Sequence, residues 1–333
     1  MSQVAGDTGV PSRKIGSLYA PIAAELDDVE RLLQAELRSE HPAVHDLVVH
    51  AFSIGGKRLR PALLLLSARA VGEIRREHVV LAAVVEMIHT ATLVHDDVLD
   101  EATLRRHVET VNARWDNESS VLLGDFLFTH SFYLAATLGS TYACRTIGRA
   151  TNIVCEGELR QTANSGNFDL SEVEYVDIIT AKTAELCACC CQLGAYYAES
   201  GDEMEAELCQ FGRHLGIAFQ IADDLLDLLG DERTMGKSLG TDLTKRKPTL
   251  PLIHALRQVP RQEQQRFMPL LDGNNGRRKD LLAWLERLGA LDYARDKARS
   301  HAQAAQSHLT RLDPSPARAV LEELTEYVVD RME

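Results

Sequence analysis

The chain has 333 residues, 45% of them hydrophobic and 26% charged, and 36 basic against 49 acidic side chains leave a formal charge of −13. That balance argues against non-specific nucleic-acid binding, and no apolar run approaches the ~20 residues that a membrane span requires. Seven cysteines occur without a secretory leader, so reduced thiols and a cytoplasmic setting are expected. No linker or low-complexity stretch divides the chain, so residues 16–333 read as one domain behind a polar tail, 1–15.

Almost every segment carries a helical period. In chain order the expected helices are Ile22–Leu37, Ala43–Ile54, Leu59–Val71, His78–Val98, Ser119–Leu138, Cys144–Ala163, Ser171–Ala198 and Glu203–Leu229. Pro251–Leu256, Arg261–Leu271, Arg278–Leu288, Tyr293–Arg311 and Ala317–Arg331 follow. Ser119 and Ser171 read as N-caps, with Glu174 closing a capping box on Ser171. Gly139, Gly201 and Gly230 suit helix ends, and Pro248 and Pro251 interrupt the pattern. No alternating strand is evident, so the expected fold class is all-α.

Two D-D-x-x-D runs stand out, Asp96-Asp97-Val98-Leu99-Asp100 and Asp223-Asp224-Leu225-Leu226-Asp227. Each ends a strongly apolar helical stretch. Residues i and i+4 share a helix face, so Asp96 projects with Asp100 and Asp223 with Asp227. Like charges at that spacing destabilise a helix unless they are neutralised, and carboxylates at the end of a buried helix are costly unless paired. Hard divalent cations neutralise them, and magnesium keeps positions open for phosphate oxygens. One such run alone reads as a solvated face; two flanked by apolar residues point to a clamp for magnesium and a diphosphate.

Basic companions accompany the acids. Gly55-Gly56-Lys57-Arg58-Leu59-Arg60-Pro61 is a glycine turn at a helix start, where the helix dipole disfavours positive charge, so Lys57 and Arg60 read as phosphate ligands. Arg105 and Arg106 follow the first acidic run, and Lys182-Thr183 lies mid-helix. Lys237 and Lys247 follow the second run, in a loop over 230–247 whose three glycines suit a mobile lid. His89 alone reads more readily as a core histidine than as a ligand. Cys187, Cys189, Cys190 and Cys191 spread around a helix without zinc-like spacing, which favours small core residues over a metal site.

These stretches, GGKRLRP (55–61), HTATLVHDDVLDEATLRR (89–106), VLLGDFLF (121–128), EGEL (156–159), KT (182–183) and GIAFQIADDLLDLLGDERTMGKSLGTDLTKRKPTLP (216–251), together resemble the trans-polyprenyl diphosphate synthases of the long-chain type. The resemblance spans roughly residues 20–330. One departure is His107, where the family commonly has glycine. The resemblance implies a helical bundle of the isoprenoid synthase type around a central tunnel, working as a homodimer. It implies a head-to-tail condensation of isopentenyl diphosphate with an allylic diphosphate. Magnesium, three ions per site entering with diphosphate, would be held by Asp96, Asp100 and Asp223, helped by Asp97, Asp224 and Asp227. Arg105, Lys182 and Lys237 would contact the allylic diphosphate, and Lys57, Arg60, His89 and Arg106 isopentenyl diphosphate. Thr183 and Gln220 would sit near the reacting carbons, and Lys247 near the closing loop.

The growing tail is expected to run along the helix face that carries Asp96, past Thr92, Ala91 and Ile88. No aromatic blocks Ala91 or Thr92. Each added unit buries five carbons, roughly 3–4 kcal/mol at ~0.8 per carbon, so growth continues until something bulky stops it. Phe132 and Ile147 are candidates for that floor, and a C30–C50 product is expected, released at a membrane surface. A short-chain C15–C20 synthase would need a plug, and a non-catalytic partner subunit would lack an acidic motif or the basic set. A second full D-D-x-x-D and GGKRLRP speak against a terpene cyclase.

Overall fold

The computed structural model describes residues 15–229, 241–260, 262, 264, 267–271 and 277–332. A 3-10 segment, Ile15–Ile22, leads into α1 (Ala23–Glu36), α2 (Pro42–Ser53), α3 (Leu59–Val71) and α4 (Arg76–Leu99). A hairpin of β1 (Leu104–Arg105) and β2 (Val108–Glu109) and a single turn, α5 (Val111–Arg114), precede α6 (Asn117–Ala136) and α7 (Thr141–Ala163). Next come α8 (Glu172–Ile179), a π-helical turn (Thr180–Ala184), α9 (Glu185–Tyr197) and α10 (Asp202–Leu229). The last helices are α11 (Thr241–Thr244), α12 (Leu250–Gln258), α13 (Arg278–Arg287), α14 (Ala290–His308) and α15 (Pro316–Asp330).

Helices apolar all round must be buried, and α3, α4 and α9 occupy the centre. Leu63 to Leu66 have no exposed surface, each worth roughly 1.5–3 kcal/mol. By length and composition α4 could cross a membrane, but 72% of the relevant stretch is buried inside the protein. α4 packs on α6 and α3, α9 on α3 and α10, and α14 along α10. Small residues let these helices approach. A Cβ on Gly212 of α10 would lie 2.6 Å from the Cys187 carbonyl oxygen and 2.9 Å from Cys191 Sγ. The four clustered cysteines are buried, and burial raises their thiols above the usual range. They are packing residues of a tight α9–α10 contact.

Several expectations are corrected. A hairpin exists where no strand was expected, because its two-residue strands are too short to show alternation. The Ser171–Ala198 helix is interrupted by the π turn at Thr180–Ala184. Asp116, not Ser119, caps α6 by accepting from the Ser119 N–H, because α6 already begins at Asn117 and leaves Ser119 inside its first turn. Ser171 and Glu174 do form a capping box. Lys57 lies before α3, which begins at Leu59 after Arg58 in a left-handed conformation at φ 49°, so of the two basic residues only Arg60 is on the helix. The tail before Ile15, Gly230, most of the 230–247 loop and much of 261–271 lie outside the described residues.

Candidate active site

The first acidic run ends α4, with Asp100 as its C-cap. Asp97 is turned into the protein, where Arg105 grips it in a fork: Nη2 donates to Oδ1 at 2.7 Å and Nε to Oδ1 and Oδ2 at 2.9 and 3.2 Å. Arg105 reaches it because the hairpin folds back on the helix end, where the Ala102 N–H bonds the Asp97 carbonyl at 2.9 Å. Asp96 faces the cleft instead. Burial pushes its carboxyl up to about 6; Glu158 and Asp100 push the same way, and Lys182 and Arg105 oppose them.

The second run lies on α10 and is organised similarly. Asp224 is buried, accepting from the Tyr175 hydroxyl at 2.7 Å and from Gln220 Nε2 at 2.8 Å. Gln220 Oε1 accepts in turn from the Thr183 hydroxyl at 2.7 Å. Burial, then Asp242, lifts Asp224 to about 7 against these bonds. Asp227 accepts from the Asp242 N–H at 3.2 Å. Asp223 accepts from Arg331 Nη2 at 2.7 Å. In both runs the second aspartate is buried on protein donors; of the flanking aspartates, Asp223 pairs with Arg331, Asp100 with Lys247, and Asp227 is buried on the Asp242 N–H.

Lysines stand between the runs. Lys247 Nζ lies 3.1 Å from Asp100 Oδ1 and 3.7 Å from Asp242, and these carboxylates raise its pKa against burial. Lys182 Nζ pairs with Glu158 at 2.5 Å and donates to Gln161 at 2.8 Å. The π turn carries Lys182 and Thr183, as such turns often do at functional sites. EGEL explains itself here: a Cβ on Gly157 would lie 2.6 Å from the Lys182 nitrogen, so glycine admits the π turn while Glu158 holds its lysine. A cavity of about 70 Å³ is lined by Lys182, Gln220, Asp224, Asp242 and Lys247, among others. Among the described residues, no three His, Cys, Asp or Glu side chains stand close enough to enclose a metal ion in this arrangement.

The basic residues gather next to the acids. His89 is held well below its usual pKa by burial and then by Arg60, Arg105, Arg106 and Arg58, so the imidazole is neutral. Arg106 Nη1 would be 3.2 Å from a Cβ on Gly56, which places the hairpin tip over the glycine turn. Arg58 is occupied elsewhere, bonding Glu30 at 2.5 Å and buried Glu86 at 2.6 Å. Lys57 Nζ stands 5.3 Å from the Tyr327 ring and 5.9 Å from Phe219. The Arg60 Nε is buried without a partner among the described residues. Lys237 lies outside the described residues.

Of the tail-face residues, Ile88 and Ala91 are sealed, each 1% exposed. Thr92 is half-buried and turns its hydroxyl to the His89 carbonyl at 2.8 Å, presenting its methyl group. Phe132 on α6 lies 3.7 Å from where a Cβ on Gly148 would sit, beside buried Ile147 on α7. The two expected floor residues are therefore neighbours. Tyr175, Asp242 and Arg331 were not singled out in the sequence. Tyr175 and Arg331 lie outside the quoted motifs and Asp242 inside the 216–251 stretch without standing out there; the packing of α8, α11 and the chain's end onto α10 brings them in.

Comparison with known proteins gives a consistent result. Residues 41–287 match the family model described as Polyprenyl synthetase. The chain is 38% identical to the octaprenyl diphosphate synthase of Escherichia coli (strain K12) over 93% of this chain and 96% of that protein. The decaprenyl diphosphate synthase structure from Rhodobacter capsulatus superposes with a TM-score of 0.90 at 36% identity, covering 96% of this chain and 99% of that one. The polyprenyl synthase structure from Caulobacter crescentus CB15, complexed with calcium and isoprenyl diphosphate, gives a TM-score of 0.91 at 35% identity, covering 98% and 100%.

Proposed function

The chain belongs to the polyprenyl synthetase family, and on that premise we propose that it joins isopentenyl diphosphate head-to-tail to an allylic diphosphate, making an all-trans polyprenyl diphosphate of C30–C50. The observation that carries this reading is the pairing of two acidic helix ends across a lysine-lined cleft with a dense arginine cluster beside it. Cations and carboxylates side by side suit a polyanionic substrate that enters with hard counter-ions.

Breaking the allylic C–O bond leaves a carbocation and a diphosphate, and stabilising that anion is where catalytic electrostatics act. Asp96, Asp100, Asp223 and Asp227 offer only hard oxygen donors, and burial, with Glu158 and Asp100 adding to it, lifts Asp96 to about 6, a cost that a hard dication offsets. These residues would hold magnesium, which when bound supplies charge neutralisation to the leaving diphosphate. Lys182, freed from Glu158, and Arg105 bind the allylic diphosphate, with Lys237 joining them. Arg60, Arg106 and Lys57 bind isopentenyl diphosphate, and neutral His89 donates a hydrogen bond to it. Gln220 and Thr183 orient the reacting ends. The released diphosphate takes the proton, since the cleft's lysines and arginines are already charged and burial among arginines makes His89 a poor base. Thr92 borders the tail's path with Ala91 and Ile88 sealed behind it, and Phe132 with Ile147 would close it. Two copies are expected to pair through α6, whose Val121, Leu122 and Tyr133 are exposed.

A product assay tests the reading: purified protein with magnesium, labelled isopentenyl diphosphate and farnesyl diphosphate, chain lengths resolved after dephosphorylation. Products of C30 or longer are expected. Arrest at C15 or C20 would make it a short-chain synthase, and no product from any primer would favour a partner subunit.

A further inference from the structure

His50 sits in the last turn of α2, directly before the glycine turn that carries Lys57 and Arg60, and it is only 7% exposed. Its ring nitrogens are both engaged. Nε2 lies 2.8 Å from the Glu109 carbonyl oxygen on β2, and Nδ1 lies 2.9 Å from Arg114 Nη1 on α5. A carbonyl only accepts and a guanidinium only donates, so Nε2 carries the proton and Nδ1 offers its lone pair. The ring is neutral and its tautomer is fixed by its partners. Trp115 completes the mount: it meets the imidazole edge-on at 5.1 Å, and the Arg114 guanidinium lies 4.8 Å from its ring centroid.

We propose that His50 is a positioning residue for the isopentenyl diphosphate site, a strut fixing the hairpin that presents Arg106 against the glycine turn that presents Lys57 and Arg60. The inference rests on the substrate assignment above. Those two segments are remote in sequence and grip one ligand, so their separation decides whether the cations converge. At its base the hairpin is tied by Thr110 and Asn112, which donate to the Ala102 carbonyl at 2.7 and 3.0 Å. Those bonds anchor it to the end of α4, while the His50–Glu109 bond ties its outer strand to α2, close to where Arg106 comes within contact distance of Gly56. The allylic side of the cleft rests on α7, the π turn and α10, and its one ligand on the hairpin, Arg105, is fixed separately by its fork on Asp97 at the end of α4. Misplaced binding groups raise KM for the ligand they hold while leaving other steps intact.

The test is steady-state kinetics of full-length wild type, His50→Ala, His50→Gln and Arg114→Ala, with calorimetric binding of isopentenyl diphosphate alone. His50→Ala is expected to raise KM for isopentenyl diphosphate about tenfold, equivalent to ~1.4 kcal/mol, leaving kcat and KM for the allylic substrate within about twofold. His50→Gln keeps a donor for the Glu109 carbonyl and should recover most of the loss. Arg114 is exposed, so Arg114→Ala leaves the core untouched; it should give a smaller rise, about threefold, in the same KM only. Should His50→Ala fold poorly, Arg114→Ala and His50→Gln carry the test. An unchanged isopentenyl diphosphate KM in every variant, or equal rises in both KM values, would overturn the role. A wild-type chain that neither turns over nor binds isopentenyl diphosphate would instead overturn the substrate assignment beneath it.

Discussion

At the scale of single residues, the site works by division of labour within each acidic run. Asp97 and Asp224 have their oxygens engaged by Arg105 and by Tyr175 with Gln220, and they hold their neighbours in place. On the proposed reading, Asp96, together with Asp223 once it leaves Arg331, meets the substrate's counter-ions. Asp96→Ala or Asp223→Ala should therefore cut turnover by about a hundredfold or more with an unchanged circular-dichroism spectrum and melting temperature; near-normal turnover in either would defeat the clamp. Gly157 is the other decisive single residue. A methyl group there would press on the backbone of the π turn at 2.6 Å. Gly157→Ala should cost about 1–3 kcal/mol, read as a lowered urea midpoint, and should lower kcat through Lys182. A variant as stable and active as wild type would show that α7 can retreat.

At the scale of elements, the β1–β2 hairpin is the clearest case of a local rule bent for a site. Its two-residue loop is Arg106-His107, at φ 52° and 66°, the left-handed pair that favours Asn-Gly. Glycine would sit there without strain, so His107→Gly should raise stability by about 0.5–1 kcal/mol, shown by a higher denaturant midpoint at unchanged m. A lower midpoint would mean that the His107 side chain makes a compensating contact. Along α4, Ala91 is sealed whereas Thr92 is half-buried. Thr92→Phe should shorten the product with little loss of stability, whereas Ala91→Phe should cost about 1–3 kcal/mol of overpacking. If Thr92→Phe leaves the product length unchanged, the tail does not follow this face.

At the scale of the whole molecule, α10 is the element on which the second acidic run depends, and α14 braces it along its length. Between them His214 Nδ1 lies 3.0 Å from His301 Nδ1, His308 stacks on His214, and Glu207 accepts from His308. Burial, then His214, then Lys297, lowers His301 to about 4, and burial with His308 and Arg213 lowers His214. The unfolded chain takes a proton on such a histidine near 6.5, while the native one resists until about pH 4. Stability from this pair is therefore whole above pH 6.5 and falls as the pH drops toward 4, by roughly 2 kcal/mol at pH 5 for His301. Urea melts at pH 7 and pH 5 should show that loss, and His301→Leu should flatten it. An equal acid slope in the variant would place the titration elsewhere.

The sequence by itself determined the helices, the two acidic runs, the basic turn and the family, because 3.6-residue periodicity and contiguous motifs are local and need no partner to be read. His89 and Lys182 were legible only through the motifs beside them. Only the tertiary structure decided that the second aspartate of each run is a brace, that Tyr175, Asp242 and Arg331 belong to the site, and that His50 spans two binding segments. Each of those roles is a contact between residues far apart in the chain, fixed by how α2, α8 and α15 pack on the core. The strand missed at Leu104 and the π turn at Thr180 fall under the same reason: two residues of strand and one extra residue in a turn leave no periodic trace, and only the neighbours they touch make them stable.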